Sequence, residues 1–382
     1  VERLRSLDGL RGLAAGIVLI HHALLTFPGF AAPYRGGGPV DSPVVWAMTY
    51  TPLHVLWEGK AAVYIFFVLS GIVLTLPVMK REPDFGWAAY YPQRLLRLYV
   101  PVWAAVALAV FWFTAIPRDP DMSSLWVSGR PQELEGGAIM RALTLVSGHG
   151  GLVSPLWSLR WEIIFSLLLP VFTLLALRLT RWRIGVVIAM LALTTVGDAI
   201  GSIALTVMPM FMLGCVMATV LPDLTTSLRN RPGWVGMTAV LATLVLLPAP
   251  WLAKASPLTA PIAGSLTALS ALGAMLAVYC ALAVPVVRAF LTTRPLQWLG
   301  LISFSLYLVH EPIVLASAHL FGDADLRVAA LVSLPASLAV AALFHRVVEM
   351  PAHTLSRTVG EWVRRRTSTT PQRQPERVPV PR

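Results

Sequence analysis

Two residues near the N-terminus have the types and the spacing to do chemistry together. Arg11 and His22 lie eleven positions apart in a run that begins Asp8-Gly9-Leu10-Arg11-Gly12-Leu13-Ala14-Ala15 and continues to His21-His22. At 100° per residue, eleven steps return to within about 20° of the starting direction, so on a helix both side chains leave one face. They stand roughly 16 Å apart along the axis. One is a fixed cation. The other is an imidazole, whose unperturbed pKa lets it accept and return a proton near neutral pH. Arg11 alone is as well explained by snorkelling to a membrane surface. The aligned pair is not, because two ionisable groups on one face share one environment, and lipid is the costly one.

Further polar residues sit in otherwise apolar runs. Arg94 and Arg97, three apart before Tyr99 and Pro101, share a helix face and have the fork geometry that matches phosphate oxygens; topogenic charge is the bland alternative. Ser70-Gly71 follows Phe66-Phe67-Val68-Leu69 and reads as a small-residue helix contact rather than a nucleophile, since no acid–base partner lies near Ser70 in sequence. Glu162, after Trp157-Ser158-Leu159-Arg160-Trp161, needs a partner inside a membrane. His310-Glu311-Pro312 carries Tyr307 one turn earlier, and Glu349-Met350-Pro351 closes the last apolar run.

The elements that must position these residues are membrane helices. The chain has 382 residues, 56% of them hydrophobic and 13% charged, with a mean hydropathy of +0.70. A soluble domain carries about 25% charged residues. The fold class expected is all-α, a polytopic helix bundle of about ten spans near 9–27, 60–79, 99–116, 155–177, 184–200, 202–221, 234–252, 262–287, 296–317 and 327–348. Loops 28–59 and 117–154 are the two long connections. The segment after the last span, 352–382, is rich in Arg, Thr, Pro and Gln and is expected to be a disordered basic tail outside the membrane domain, 1–351. Cys215 and Cys280 fall inside apolar runs and read as packing residues, not as a disulfide or a metal site. The first run carries Arg11 and two histidines and lacks a small-residue cleavage site, so no cleavable signal peptide is expected.

Charge distribution orients the bundle. With the N-terminus in the cytosol, 22 of the 30 Lys and Arg residues fall on cytosolic segments or span ends. Both termini are then cytosolic and both long loops lie outside. The net charge of +11 is thereby a matter of topology, and no nucleic-acid partner is needed to explain it.

These residues together resemble the membrane-bound acyltransferase family 3, integral-membrane O-acyltransferases that decorate surface glycans and some antibiotics. The resemblance covers about 1–351. Its most specific part is Leu7-Asp8-Gly9-Leu10-Arg11-Gly12 with His22 eleven residues after the arginine. The Phe66–Gly71 run, Arg94 and Arg97 before Pro101, Trp157-Ser158-Leu159 with Glu162 and Phe165, Ser303–Leu308 with His310 and Pro312, and Glu349 with Pro351 are similar to the later motifs in order. Ser166 departs from a common Tyr and Arg160 from a common small residue. About thirty residues follow the last span, so the form without a C-terminal hydrolase-like domain is implied.

The resemblance implies a mechanism. Cytosolic acyl-CoA, acetyl-CoA first among its forms, docks its phosphates on Arg94, Arg97 and Arg11 with no metal. Its thioester reaches His22, which takes the proton of an acceptor hydroxyl or forms an acyl-histidine. Glu162 orients His22, and Ser70, Tyr307 and His310 bind substrate. The acceptor is a glycan, a glycolipid or a macrolide-type metabolite, so O-acetylation and polysaccharide modification are the expected roles. The enzyme is expected to be a multi-pass protein of the cell membrane, with bilayer lipid as its surround. The competing class is a transporter or flippase of a glycan or lipid intermediate, which also needs interior charge.

Overall fold

The computed structural model describes residues 4–36, 40–81, 84–146, 151–227 and 232–367. The ordered elements among them are helices throughout. An apolar run in lipid must satisfy its backbone internally, and the helix does so within one segment. The long helices are α1 (Arg5–Leu25), α2 (Gly59–Arg81), α3 (Trp87–Ala115), α4 (Leu156–Arg178), α5 (Arg183–Ala199) and α6 (Ile203–Ser227). They continue with α7 (Gly233–Leu246), α8 (Thr267–Ala283), α9 (Arg294–Phe321) and α10 (Leu326–Phe344). A π turn, His345–Glu349, joins α10 to α11 (Met350–Thr367).

Nine helical stretches among the described residues are long and apolar enough to cross a membrane. The remaining one, α7, has 14 residues and spans roughly 21 Å at 1.5 Å per residue. It leads into a short helix, Ala249–Lys254, whose Trp251 packs on Tyr34 and His54. The chain therefore arrives on the same face as loop 28–59, as a tenth crossing requires. Large side chains such as Ile184, Ile188, Leu168 and Val171 are exposed on the bundle's outside, as a lipid-facing surface demands.

α9 is the central helix. Every residue from Ser305 to Ala318 is buried, and α9 packs between α1 and α10. The α1 contact is made by glycine. A Cβ on Gly12 would fall 2.5 Å from the Gly300 nitrogen and one on Gly300 would fall 2.2 Å from the Asp8 carbonyl oxygen, while one on Gly9 would fall 1.9 Å from the carbonyl oxygen of Leu291, at the end of the short helix that precedes α9. Small residues let membrane helices approach backbone to backbone. The α2–α6 contact is built the same way from Gly71 and Gly214, which is the helix contact that Ser70-Gly71 suggests.

Three segments differ from their sequence reading. α3 begins at Trp87, not near 99, so Arg94 and Arg97 lie within the helix. Loops 28–59 and 117–154 hold short helices, including Pro28–Arg35, Pro43–Tyr50, Leu125–Ser128 and Gly136–Thr144. Trp57, Trp126, Val127 and Val153 from these loops enter the hydrophobic core. The expected tail is helical as far as Thr367. Ala352, Ser356 and Gly360, spaced one turn apart, are its buried residues, and Gly360 lies against Gln93 of α3. Composition alone conceals that small-residue stripe. Positions 368–382, with the rest of the expected tail, lie outside the described residues, as do Arg229 and Arg231.

Gly12→Leu forces the α1–α9 backbones apart. It should lower the unfolding temperature in detergent and abolish activity together, whereas Gly16→Leu, at a position with open space, should change neither; equal behaviour of the two would refute the contact. For orientation, cysteines at Asp41 and Thr367 should react with an impermeant maleimide from opposite sides of the membrane. Labelling of both from one side would overturn the ten-crossing topology.

Candidate active site

His22 occupies the last turn of α1, and the glycine contact below it sets which residue of α9 it meets. Its Nδ1 lies 2.8 Å from His310 Nε2. The His310 Nδ1 lies 2.8 Å from the Leu306 carbonyl oxygen. A carbonyl only accepts, so His310 carries its hydrogen on Nδ1. In the neutral ring its Nε2 is then an acceptor, and His22 Nδ1–H must be the donor. His22 is left with an unprotonated Nε2, a lone pair held in one orientation by two successive hydrogen bonds. His310 is buried while His22 is only partly so. His21 turns away: its Nδ1–H donates to the Trp57 carbonyl at 2.9 Å, and its ring fills the space beside Gly59.

Loop 117–154 closes the outer side of this pair. The Trp126 ring packs 5.4 Å from that of His22, and the Arg130 guanidinium lies 4.5 Å over Trp126. Arg130 Nη2 is 2.7 Å from Glu311 Oε1. Glu311, fully buried, also accepts from the Ser154 hydroxyl at 2.5 Å and from the Ser154 backbone N–H. Burial pushes the Arg130 guanidinium below its ordinary value, and the Glu311 carboxylate opposes that shift. The carboxylate that follows His310 in sequence thus ties a long extramembrane loop over the histidine pair.

The arginines gather towards the other end. Arg94 Nη2 is 2.5 Å from Glu162 Oε1, and Arg94 Nε donates to the Ser166 hydroxyl at 3.0 Å. Ser70 Oγ donates weakly to the same Glu162 oxygen at 3.4 Å. Arg97 has Arg94, Arg11, Glu349 and Glu162 as its charged neighbours, yet its side chain is exposed, as expected of a cation facing a wet space. Glu349, on the π turn, accepts from the Ser305 hydroxyl at 2.5 Å and from His345 Nδ1 at 3.0 Å.

Several expected assignments change. Glu162 is engaged by Arg94, and the hydrogen-bond partner of His22 is His310. The physical reason is lateral: Glu162 faces α2 and α3, whereas His22 faces α9. His310 and Tyr307 were expected to bind substrate. His310 binds His22 instead, and the Tyr307 hydroxyl donates to the Pro155 carbonyl at 3.1 Å and lies 2.7 Å from Ser158 Oγ. Arg94 is half-neutralised by Glu162, while Arg11 and Arg97 share its surroundings as the sequence suggested. Trp126, Arg130 and Ser154 were missed. They lie in a loop without periodicity, and only the unpaired Glu311 in a buried helix signalled that a cation had to arrive from elsewhere. Among the described residues no cluster of His, Cys, Asp and Glu has the make-up of a metal site.

A family model described as "Acyltransferase domain" matches residues 4–346. The chain is 28% identical over 396 aligned positions to the acyltransferase MdmB of Streptomyces mycarofaciens, covering 93% of each protein. It is 25% identical over 374 positions to the O-acetyltransferase PaAT-1 of Phomopsis amygdali, covering 83% of this chain and 73% of that one. No solved structure matches.

The loop latch makes a measurable demand on stability. Removing one partner of a buried ion pair typically costs about 3–5 kcal/mol because it leaves the other charge buried and uncompensated, a penalty that removing both charges avoids. Glu311→Gln should therefore lower the unfolding temperature in detergent well below that of the double variant Glu311→Gln/Arg130→Met. A double variant no more stable than the single one would show that the pair does not hold the loop.

Proposed function

The chain belongs to the acyltransferase family whose model spans residues 4–346, and from that membership we propose that it is an integral-membrane O-acyltransferase that moves an acyl group from cytosolic acyl-CoA to a hydroxyl of a glycan or glycosylated metabolite, with His22 as general base. The observation that carries the proposal is the Leu306–His310–His22 hydrogen-bond chain, which leaves the His22 Nε2 lone pair free. The acceptor hydroxyl gives its proton to that nitrogen as its oxygen bonds to the thioester carbonyl carbon. The tetrahedral intermediate collapses with cleavage of the C–S bond, and the imidazolium returns the proton to the departing CoA thiolate. His310 Nε2 accepts from the imidazolium throughout, the office an aspartate fills in a Ser-His-Asp triad.

Arg97 and Arg11, with Arg94 beside them, receive the phosphates of the donor, acetyl-CoA being the first to try. Arg94 also holds Glu162 and so serves structure as well as charge. In this orientation both termini and the α11 segment lie on the cytosolic side of the cell membrane, with loop 117–154 outside over the acceptor end. The family match and the names of both relatives favour acyl transfer over transport of a glycan or lipid intermediate.

Three histidine variants at equal expression test the base. His22→Ala should lose about 10²–10⁴ in transfer rate while still binding acetyl-CoA, and His21→Ala should keep more activity than His22→Ala. His310→Ala should lower kcat without changing the KM for acetyl-CoA, and His310→Gln, whose amide oxygen restores an acceptor near the Nε2 position, should recover part of the loss. An active His22→Ala refutes the mechanism. Acylated His22 trapped in a single turnover would make the residue a nucleophile instead. On the donor side, Arg97→Ala should weaken acetyl-CoA binding by roughly tenfold or more, as loss of a charge-assisted hydrogen bond predicts, and should flatten its salt dependence. Unchanged donor affinity would remove Arg97 from the phosphate site.

A further inference from the structure

A second polar space lies on the same face of the bundle as loop 28–59, next to the histidine pair but separate from it. It is a cavity of about 190 Å³ whose wall includes Tyr34, Glu58, Lys60, Asp198, Lys254 and Thr267. Two packed rings, those of Tyr34 and His21, stand between it and His22. Tyr34 packs 5.0 Å from His21, and His21 packs 5.1 Å from His22. At about 30 Å³ per water the space holds about six waters, the scale of one sugar ring.

The lining is balanced in a particular way. Two ammonium groups, Lys60 and Lys254, face two carboxylates, Glu58 and Asp198. Each carboxylate also has a hydrogen-bond partner in the wall. Glu58 is paired with His54 and accepts from Tyr34 at 3.4 Å, and Asp198 accepts from Thr267 at 2.8 Å. Lys254 lies 3.9 Å over the Trp251 ring, and Trp251 is itself packed on Tyr34 and His54, so the tryptophan fixes the lysine and does not supply a free stacking face. A net cation or anion in this space gains from one pair of charges and is repelled by the other. A neutral ligand that both donates and accepts hydrogen bonds satisfies all four.

We infer that this cavity is a recognition subsite for an uncharged, hydroxyl-rich sugar unit of the acyl acceptor, across the Tyr34 and His21 rings from the hydroxyl that reacts at His22. The inference rests on the acyltransferase reading for its role in turnover, though not for binding itself. The sugar's hydroxyls donate to Glu58 and Asp198 and accept from Lys60 and Lys254. The subsite thereby selects the acceptor by its neighbouring sugar, while His22 acts on whichever hydroxyl that seating presents.

The test places a reporter thiol in the cavity of the full chain, reconstituted in phosphatidylcholine vesicles to avoid sugar detergents. Gly264 lines the space, and a Cβ there meets only Asp198 Oδ2 at 3.5 Å, an ordinary contact. The native cysteines are buried. Reaction of Gly264→Cys with a hydrophilic maleimide is followed with methyl glycosides, choline chloride or sodium citrate present. Slowing by a methyl glycoside, and not by choline or citrate, is the expected result. Slowing by a charged probe alone, or by none, overturns the inference. Asp198→Asn should then raise the KM for a methyl glycoside acceptor by about tenfold, the loss of a hydrogen bond to a charged group, with the KM for acetyl-CoA kept; an unchanged acceptor KM detaches the cavity from the acceptor. Protection by a glycoside in a protein that transfers no acyl group would sink the acyltransferase mechanism and leave the sugar site standing.

Discussion

The backbone contact between α1 and α9 is the constraint on which the rest depends. Gly12 on one helix and Gly300 on the other remove the side chains that would otherwise separate them, and Gly9 lets α1 close on Leu291 just before α9. In water, apolar burial would reward helix association by itself. In lipid it does not, and close packing has to supply the specificity. The contact lies near the start of both helices. Once the two axes are fixed there, the same ten-residue rise, from Gly12 to His22 and from Gly300 to His310, carries the two histidines to one level, where their rings meet. The glycines flanking Arg11 are thus part of the active-site architecture although they touch no substrate.

Buried charge is handled by pairing. Glu162 meets Arg94, Glu311 meets Arg130 and Ser154, Glu349 meets Ser305 and His345, and Glu58 meets His54. An unpaired carboxylate in a membrane helix is costly, so each partner is a structural necessity before it is anything else. The pairs also divide the work. The Glu311 pair ties a long loop over the histidines, and the Glu162 pair joins α3 to α4. Arg97 at one end and the His22 Nε2 at the other lie outside these pairs, and both are groups the proposed chemistry uses.

Using an imidazole to hold an imidazole suits this setting. Under the proposed mechanism, a carboxylate beside His22 would favour its protonated form before an acceptor arrives. A neutral His310, pinned by the Leu306 carbonyl, selects the same tautomer without bringing a formal negative charge into the bundle. The ionised Glu311 beside it is directed away and neutralised by Arg130.

The amino-acid sequence by itself determined the helical class, the approximate place of most crossings though not the start of α3, and the expectation that Arg11 and His22 leave one face of α1. These are local properties: hydropathy over about twenty residues selects a span, and the 3.6-residue period fixes which side chains share a face. It also marked Glu162 as a carboxylate in need of a partner and singled out Arg94, His310 and Glu349 as polar groups in apolar surroundings, and the family resemblance ordered them. It did not reveal the partners. Glu162 was expected beside His22 because both are polar and one helix end lies near the other, yet their helices turn those faces towards different neighbours. His22 and His310 are 288 residues apart, and Arg130 reaches Glu311 from a loop with no periodic pattern. The small-residue stripe of α11 was lost among arginines and threonines. Spacing along one helix says which residues point the same way. Only the packing of helix on helix decides what they point at, because that depends on every small residue in the contact at once.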